Sequence, residues 1–271
     1  MTTFRQRYGP WALIAGGSEG LGHAFAAEAA ARGLHVVIVA RRPEPLATSA
    51  DRLRADYPVQ VREVVADLSQ PSAFHDVLPA ATGELEIGLV VANAAHAPVG
   101  PFLGLAAGQA RQAIQVNCAG PVRLAADYLP AMVRRRRGGL IVVSSLAGLQ
   151  SLPGGAVYAA TKAFGRVLAE SLWAELRPHG VDVLACVAGA IRTPGWDRSG
   201  MRSAPGILHS ARVAADTYDR LGHGPIVIPG RFNRAATAAL RLLPRRTAIT
   251  IMDRATARLS PTAVPDERAD P

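Results

Sequence analysis

Short apolar runs alternate with longer stretches of helical periodicity along most of this chain. The apolar runs lie at 11–16, 35–40, 59–66, 87–92, 139–144, 181–187 and 225–229. The intervening helical stretches lie at 20–32, 44–55, 71–81, 106–136, 156–178 and 211–221. This alternation predicts βαβ units, and therefore an α/β fold with about seven parallel strands in one doubly wound sheet covered by helices on both faces.

The chain continues with a basic segment at 231–259, which predicts two amphipathic helices broken at Pro244. Residues 260–271 lack the apolar content of a core, and we expect them to be disordered. We therefore predict one domain over 1–230 followed by a helical extension. The extension could pack on the domain, on a partner subunit or on an anionic membrane surface; peripheral membrane contact is open but not favoured.

Composition narrows the functional classes. Hydrophobic residues make up 49% of the 271 residues and charged residues 19%, which is typical of a folded globular protein. The net charge of +9 raises nucleic acid and acidic membranes as partners. The one arginine run, Arg134–Arg137, ends a predicted helix, where cations complement the helix dipole, so we expect no nucleic-acid partner.

The cysteines and the apolar runs indicate the setting. Cys118 and Cys186 lie far apart with no partner at metal-ligand spacing, which argues against a metal site and a disulfide scaffold and favours a reducing, cytoplasmic location. The N-terminus has no apolar stretch of signal-peptide length, and no run reaches the roughly 18 residues of a membrane span.

A glycine-rich loop follows the first strand and leads into the first helix. Its glycines form a GxxxGxG pattern, in which the backbone can turn tightly and approach a ligand. The following helix N-terminus offers free N–H groups to a pyrophosphate. At this position in an α/β chain the loop predicts the dinucleotide site of a Rossmann-type sheet, and the expected contacts are Gly16, Ser18, Glu19, Gly20, Leu21 and Gly22.

The end of the second strand indicates which dinucleotide binds. An NAD site would carry an acid here for the ribose hydroxyls, but the chain reads Arg41-Arg42. Two guanidinium groups suit the additional phosphate of NADP, so we expect NADP(H) to be preferred, with NAD(H) also possible. Glu19 is a contrary sign, since it could lie near that phosphate. At the third strand end, Asp67 and Leu68 are expected beside the adenine, although Asp67 could equally cap a helix.

The candidate chemistry lies between Ser145 and Lys162. Tyr158 and Lys162 are four residues apart, which places them one turn apart on one helix face. Lys162 is the only lysine among 30 Lys and Arg residues. A compact cation beside a phenol is expected to lower the phenol pKa and make it a usable proton donor and acceptor. The pattern alone also fits an ordinary surface Tyr and Lys.

Taken together, these motifs resemble the short-chain dehydrogenase/reductase family. The resemblance covers about residues 10–230 and rests on several motifs in order: the glycine loop, Asp67, Ala92-Asn93-Ala94-Ala95, Asn117, Ser145, Tyr158, Lys162 and Ala188-Gly189 through Thr193.

The resemblance implies an oxidoreductase that interconverts a carbonyl and an alcohol with NAD(P)(H). It implies that Tyr158 is the proton donor and acceptor, that Ser145 holds the reacting oxygen, and that Lys162 lowers the Tyr pKa and binds the nicotinamide ribose. It implies that Asn117 anchors a water linking Lys162 to solvent. The further cofactor contacts that it implies are Asn93, Ala94, Gly189, Ile191 and Thr193.

Four positions depart from the family pattern, and the substrate pocket is variable. Ala15, Ala92, Ala95 and Ala188 replace residues usual in the family, and we expect weaker cofactor binding but intact chemistry. The family's substrate loop corresponds to about 193–210. Its apolar residues suggest a moderately apolar substrate, and the expected pocket residues are Ser145, Leu152, Tyr158, Trp196 and Met201.

Alternatives to this enzyme remain at this stage. A non-catalytic dinucleotide-binding redox sensor would use the same fold, but the filled Ser, Tyr, Lys and Asn positions disfavour it. A hydroxysteroid or 3-ketoacyl reductase is a narrower form of the same activity. In this family the helix at 156–178 and the one before it often pack across a two-fold, so a homodimer or homotetramer is expected.

Overall fold

A seven-stranded parallel sheet forms the centre of the protein. The computed structural model describes residues 3–193 and 205–257. The sheet has the order β3-β2-β1-β4-β5-β6-β9, and a separate pair, β7 and β8, lies outside it. The strands are β1 Trp11–Ala15, β2 His35–Ala40, β3 Val61–Val65, β4 Ile87–Ala92, β5 Gly139–Ser145, β6 Asp182–Ala188, β7 Ile191–Arg192, β8 Leu208–His209 and β9 Ile226–Val227.

Helices connect the strands and continue beyond the sheet. In the described part of the chain they are α1 Phe4–Tyr8, α2 Gly20–Ala31, α3 Pro43–Asp56, α4 Leu78–Thr82, α5 Ala107–Ile114, α6 Gly120–Arg135, α7 Ala156–Leu176, α8 Ser210–Arg220, α9 Arg231–Arg241 and α10 Arg245–Ala257. None of these helices is long and apolar enough to cross a membrane.

The protein has two hydrophobic clusters, one on each face of the sheet, because the central strands are buried on both faces. Successive side chains of β1 point to opposite faces of the sheet and pack in different hydrophobic clusters. Ile14 packs with Phe25 and Ile38 on one face. Leu13 packs with Val37 and Leu124 on the other. Continuous apolar strands of this kind are typical of parallel sheets covered by helices on each side.

Strand order reverses beside β1. The chain passes from β1 outward through β2 and β3, and then returns to place β4 on the other side of β1. The loops leaving β1 and β4 therefore diverge and open a crevice at the carboxyl edge of the sheet, where ligands bind in doubly wound folds.

The predicted fold is confirmed, and its errors are local. All seven predicted strands are present, and the two helices of the extension separate at Pro244 as expected. The predicted single helix at 106–136 is wrong in detail, because a π-helical turn at Gln115–Ala119 divides it into α5 and α6. Helix α1 and the β7–β8 pair were not predicted; α1 begins at a capping box formed by Thr3 and Gln6.

Candidate active site

The loop after β1 forms a close cradle at the crevice. Gly16 has φ +85° and Gly20 has φ +55°, a backbone region that other residues rarely adopt. A Cβ on Gly22 would lie 1.7 Å from the Gly16 carbonyl oxygen. Asn93, at the end of β4, donates from Nδ2 to that same carbonyl at 3.0 Å. Only glycines permit this approach, and the exposed N-terminus of α2 makes the cradle suitable for a dinucleotide pyrophosphate.

A groove extends from this cradle along the ends of β2 and β3. It collects most of the predicted cofactor residues, together with several that were not predicted as cofactor contacts. The predicted lining residues are Gly16, Ser18, Glu19, Arg41, Arg42, Asp67, Leu68, Asn93 and Ala94. The additional ones are Val39, Ala40, Ala66, Ala95, His96 and Val116.

Two of the predicted residues in the groove have partners that change their interpretation. Arg42 forms an ion pair with Glu19 across the mouth of the groove. Arg41 makes no ion pair with any residue in the described parts of the chain, and it is the more available guanidinium. The Asp67 carboxylate accepts a hydrogen bond from Ser69 N at 2.9 Å, so it closes a turn while lining the groove.

The remaining predicted cofactor residues lie outside the groove wall. Gly20 and Leu21 begin α2, and Leu21 is buried in the core. Gly189 follows β6 and packs against Asn233 of α9. Ile191 pairs with Leu208 between β7 and β8. Thr193 ends the described segment. Trp196 and Met201 lie outside the described residues, whereas Leu152 is described and half-buried.

Ser145 ends β5 and faces the first turns of α7. Its Oγ accepts a hydrogen bond from Ala147 N at 3.2 Å, which starts a single 3-10 turn. A Cβ on Gly148 would lie 2.7 Å from backbone atoms of Lys162 and Ala163, so this turn packs directly on the helix. The close packing brings the Ser145 hydroxyl to the phenol of Tyr158.

Lys162 is buried beneath this turn, one helical turn after Tyr158. Its Nζ donates to the Val143 carbonyl oxygen at 2.8 Å and lies 5.7 Å from the centroid of the Tyr158 ring. Ser144 Oγ donates to the Lys162 carbonyl oxygen at 2.7 Å, which fixes the helix to β5. Burial lowers the pKa of Lys162 to about 8, and the nearby thiols of Cys186 and Cys118 act in the opposite direction.

The expected lowering of the Tyr158 pKa is wrong for this structure. Burial raises the pKa of Tyr158, and the hydrogen bond from Ser145 opposes that shift only in part. The Lys162 ammonium group, 5.7 Å from the centroid of the ring, donates to the Val143 carbonyl oxygen, and the net shift of the Tyr158 pKa is upward. The phenol therefore stays protonated at neutral pH.

Asn117 joins three parts of the site. It lies in the π-helical turn between α5 and α6. Its Oδ1 accepts from His96 N at 2.8 Å, and its Nδ2 donates to His96 O at 2.8 Å and to Thr161 Oγ1 at 2.9 Å. The amide thus holds the segment after β4 against α7, and the predicted role of anchoring a water stays a prediction.

His96 links the groove to this cluster. It lines the groove, and its backbone is held by Asn117. Its Nε2 is buried with no hydrogen-bond partner among the described residues. The glycine cradle, the double arginine and this unpaired nitrogen fit an elongated polar ligand such as a dinucleotide.

Several contributors were missed by sequence reasoning. Thr161 lies between Tyr158 and Lys162, but no pattern indicated that its hydroxyl would bind Asn117. Arg245 begins α10 and donates to Leu149 O at 3.5 Å and to Gln150 Oε1 at 3.2 Å, so the extension contacts the loop after Ser145. Arg245 and Gln150 are 95 residues apart in sequence, so no local sequence pattern could predict this contact.

Comparison with known proteins decides the family. A sequence model of a protein family, described as short chain dehydrogenase, matches residues 10–202 of this chain. The chain belongs to the short-chain dehydrogenase family. It is therefore an oxidoreductase that acts on CH–OH groups. Among its relatives is the 7beta-hydroxysteroid dehydrogenase of Clostridium sardiniense, which is 31% identical over 234 residues that span 85% of this chain and 89% of the relative.

Solved structures of the short-chain dehydrogenase family support the same assignment. A structure from a study of 7beta-hydroxysteroid dehydrogenase stereoselectivity superposes with a TM-score of 0.86 at 30% identity and covers 93% of this chain and 99% of that chain. A short-chain dehydrogenase from Sphingobium yanoikuyae in complex with NADPH has a TM-score of 0.77 at 32% identity, covering 86% of this chain and 92% of that chain.

The buried ammonium group gives a pH-dependent stability that can be measured. The folded pKa of Lys162 is about 8 against 10.5 unperturbed, so the unfolded chain binds more protons between these values and stability rises with pH there. Lys162→Met lacks this dependence. Lys162→Met should therefore be favoured over the native chain most at pH 8. The difference between their free energies of unfolding should shrink by about 3 kcal/mol between pH 8 and pH 10.5, as the native chain becomes more stable.

Denaturant unfolding at a series of pH values measures this difference. Arg166→Met is the matched control on the same helix, where Arg166 pairs with Glu170 near the surface, and its difference from the native chain should stay flat. A Lys162→Met difference that is equally flat would contradict the burial of a charged ammonium group.

Proposed function

We propose that this chain is an NADPH-preferring reductase that interconverts a ketone or aldehyde and the corresponding alcohol on a moderately apolar substrate. The observation that carries the proposal is the packing of Ser145 against Tyr158, with Lys162 one turn further along α7. The Asn117 amide connects helix α7 to His96, which lines the groove that holds the glycine cradle and the two arginines.

Tyr158 is the proposed proton donor to the carbonyl oxygen. The phenol is protonated at neutral pH and is therefore in the form that donates, and its raised pKa makes it a weaker acid than an unperturbed tyrosine. Ser145 donates a second hydrogen bond to the same oxygen and stabilises its developing charge. Bound NADPH supplies the hydride in such a site. In alcohol oxidation the same phenol takes the proton back.

Lys162 is the proposed link between the phenol and solvent. A lysine with a pKa of about 8 exchanges protons readily at neutral pH, unlike an unperturbed lysine. Its Nζ is also the buried donor for the ribose next to the nicotinamide. Asn117 supports both roles indirectly, because its hydrogen bond to Thr161 orients the helix turn that carries Lys162.

The preference for NADP(H) rests on the end of β2. Arg41 is exposed at the groove and makes no ion pair with the described residues, so it is free to bind the 2′-phosphate. The Sphingobium yanoikuyae relative, at 32% identity, binds NADPH. Glu19 works against this preference, because it neutralises Arg42 and adds negative charge beside the phosphate position.

These opposed charges predict opposite effects on cofactor affinity. Arg41→Asp should weaken NADPH binding by about 10-fold or more and shift preference toward NADH, since it replaces a phosphate partner by a like charge. Glu19→Gln should strengthen NADPH binding several-fold and leave NADH little changed. Fluorescence titration with both cofactors measures this. Arg134→Asp, at an exposed position on α6, is the charge control, and an equal effect there would contradict the assignment.

A hydroxysteroid or its keto form is the substrate class that we favour. The 7beta-hydroxysteroid dehydrogenase likeness covers 93% of this chain and 99% of that chain, a longer stretch than residues 10–202 of the family model. Very-long-chain 3-oxoacyl-CoA reductase of Aspergillus terreus is 32% identical over only 65% of this chain and 51% of the relative. A 3-ketoacyl substrate is therefore the second choice, and a non-catalytic redox sensor leaves the filled cluster unexplained.

A panel of ketosteroids, 3-ketoacyl thioesters and simple ketones with NADPH tests the activity. Turnover is expected with a ketosteroid, and Tyr158→Phe should reduce kcat by at least about 100-fold because it removes the proton donor. NADPH affinity should stay within about twofold. Tyr57→Phe is the matched control, because Tyr57 directly follows the last residue of α3 and lies outside the candidate site. Full turnover by Tyr158→Phe would contradict the mechanism.

We also propose a homodimer or homotetramer in a reducing, cytoplasmic setting. An apolar groove between α6 and α7 supports the assembly; its lining residues are Val122, Ala125, Ala126, Leu129, Pro130, Val133, Leu168, Leu172 and Leu176. The free thiols of Cys118 and Cys186 support the setting. Light scattering on the purified protein should give at least twice the chain mass of 28.4 kDa.

A further inference from the structure

The charge of the protein is concentrated in the α9–α10 segment, residues 231–254. This segment holds six arginines and a single acidic residue, Asp253, so it carries +5 of the net +9 of the whole chain. Every one of the six arginines is exposed. The segment forms less than a tenth of the sequence but carries more than half of the net charge.

Helix α9 presents three distinct faces. Its buried face, at Asn233 and Thr237, packs on the domain, where Asn233 Nδ2 donates to Gly206 O and Pro229 O, each at 3.1 Å. Residues three, seven and ten positions after Phe232 continue an apolar stripe on the exposed side. That stripe is Phe232, Ala235, Ala239 and Leu242.

The exposed stripe is unusually apolar for a surface helix. Phe232 is 56% exposed and Leu242, just after the helix, is 86% exposed. The neighbouring stripe, one position earlier in each turn, contains Arg231, Arg234 and Arg241. Leu243 and Ile251 continue the exposed apolar surface toward α10, beside Arg245 and Arg246.

This surface is joined to the loop that follows Ser145. Arg245 Nη2 donates to the Gln150 carbonyl oxygen at 3.3 Å, and Gly154 O accepts from Gly100 N at 2.8 Å. The segment around Gly100 exposes three further apolar side chains. They are Val99, Phe102 and Leu103, exposed by 77%, 65% and 98%. A continuous chain of contacts thus connects α10, the loop after Ser145 and this apolar rim.

We propose that the α9–α10 surface binds an anionic lipid bilayer, with the helices lying in its interface. The apolar stripe would enter the boundary between headgroups and acyl chains, and the arginines beside it would bind lipid phosphates. The helices are too short and too polar to span a bilayer, but their division into buried, basic and apolar faces suits this orientation. The loop after Ser145, which Arg245 contacts, would then lie near the membrane, where apolar carbonyl substrates dissolve.

Charge favours a lipid partner over a second copy of the chain. A symmetric contact through this surface would bring two segments of +5 together with only Asp253 on each to compensate. Nucleic acid would match the charge, but it would leave Phe232 and Leu242 without an apolar partner. An anionic bilayer satisfies both requirements, and this inference does not depend on the proposed reaction.

Co-sedimentation of the full chain with vesicles tests the proposal without any turnover. We compare vesicles of phosphatidylcholine with vesicles of equal parts phosphatidylcholine and phosphatidylglycerol. Binding should occur to the anionic vesicles and weaken as salt is raised. Arg231→Glu with Arg241→Glu should reduce the partition coefficient by at least about 10-fold, and Phe232→Ser with Leu242→Ser should reduce it by a similar factor.

Matched controls are available on other surfaces. Arg134→Glu on α6 and Val65→Ser at the edge strand β3, which is 52% exposed, should bind vesicles like the native chain. Circular dichroism and NADPH affinity should be unchanged in every variant, since none of these residues lies in the cofactor groove.

Four results would overturn the proposal. They are no binding to anionic vesicles, equal binding to both vesicle types, an equal loss in the Arg134→Glu control, and full binding by the Phe232→Ser/Leu242→Ser variant. A lower mass of the α9 variants in light scattering, without vesicle binding by the native chain, would instead assign this surface to a subunit contact.

Discussion

The burial of one ammonium group is the constraint on which the candidate site depends. Placing the charge of Lys162 away from water costs free energy, and its pKa of about 8 records that cost. The cost is offset only if Nζ meets a fixed acceptor, and that acceptor is the Val143 carbonyl at the end of β5. Strand β5 and helix α7 must therefore keep a precise register.

Two small features hold that register. The Ser144 hydroxyl ties β5 to the backbone of Lys162, and Gly148 lets the intervening turn touch the helix without a side chain between them. The same packing half-buries Tyr158 and raises its pKa, so the phenol stays protonated at neutral pH, in contrast to the lowered pKa expected from the sequence. An arginine at position 162 would need more donors satisfied than this space provides. The chain otherwise uses arginine, and it retains a single lysine where a slim cation is required.

The sequence predicted the features that depend on local pattern. Buried strands such as β1 and β4 have continuous apolar runs, and the Gly16–Gly22 loop has a pattern tied to one backbone geometry, so both were found at the correct positions. Features that depend on distant partners were not. The ion pair of Arg42 with Glu19 and the contact of Arg245 with Gln150 join residues far apart in sequence. The π-helical turn that orients Asn117 also has no sequence periodicity of its own.

Transfer of deuterium from labelled NADPH tests the central account most directly. With NADPH deuterated at the transferable position of nicotinamide C4 and a ketosteroid acceptor, mass spectrometry of the product alcohol should find one deuterium on the carbinol carbon for each cofactor oxidised. Tyr158→Phe should form at least about 100-fold less labelled alcohol over the same time, and any alcohol that it forms should still carry the deuterium. Oxidation of the cofactor without label in the alcohol, or no oxidation with any carbonyl in the panel, would contradict the account.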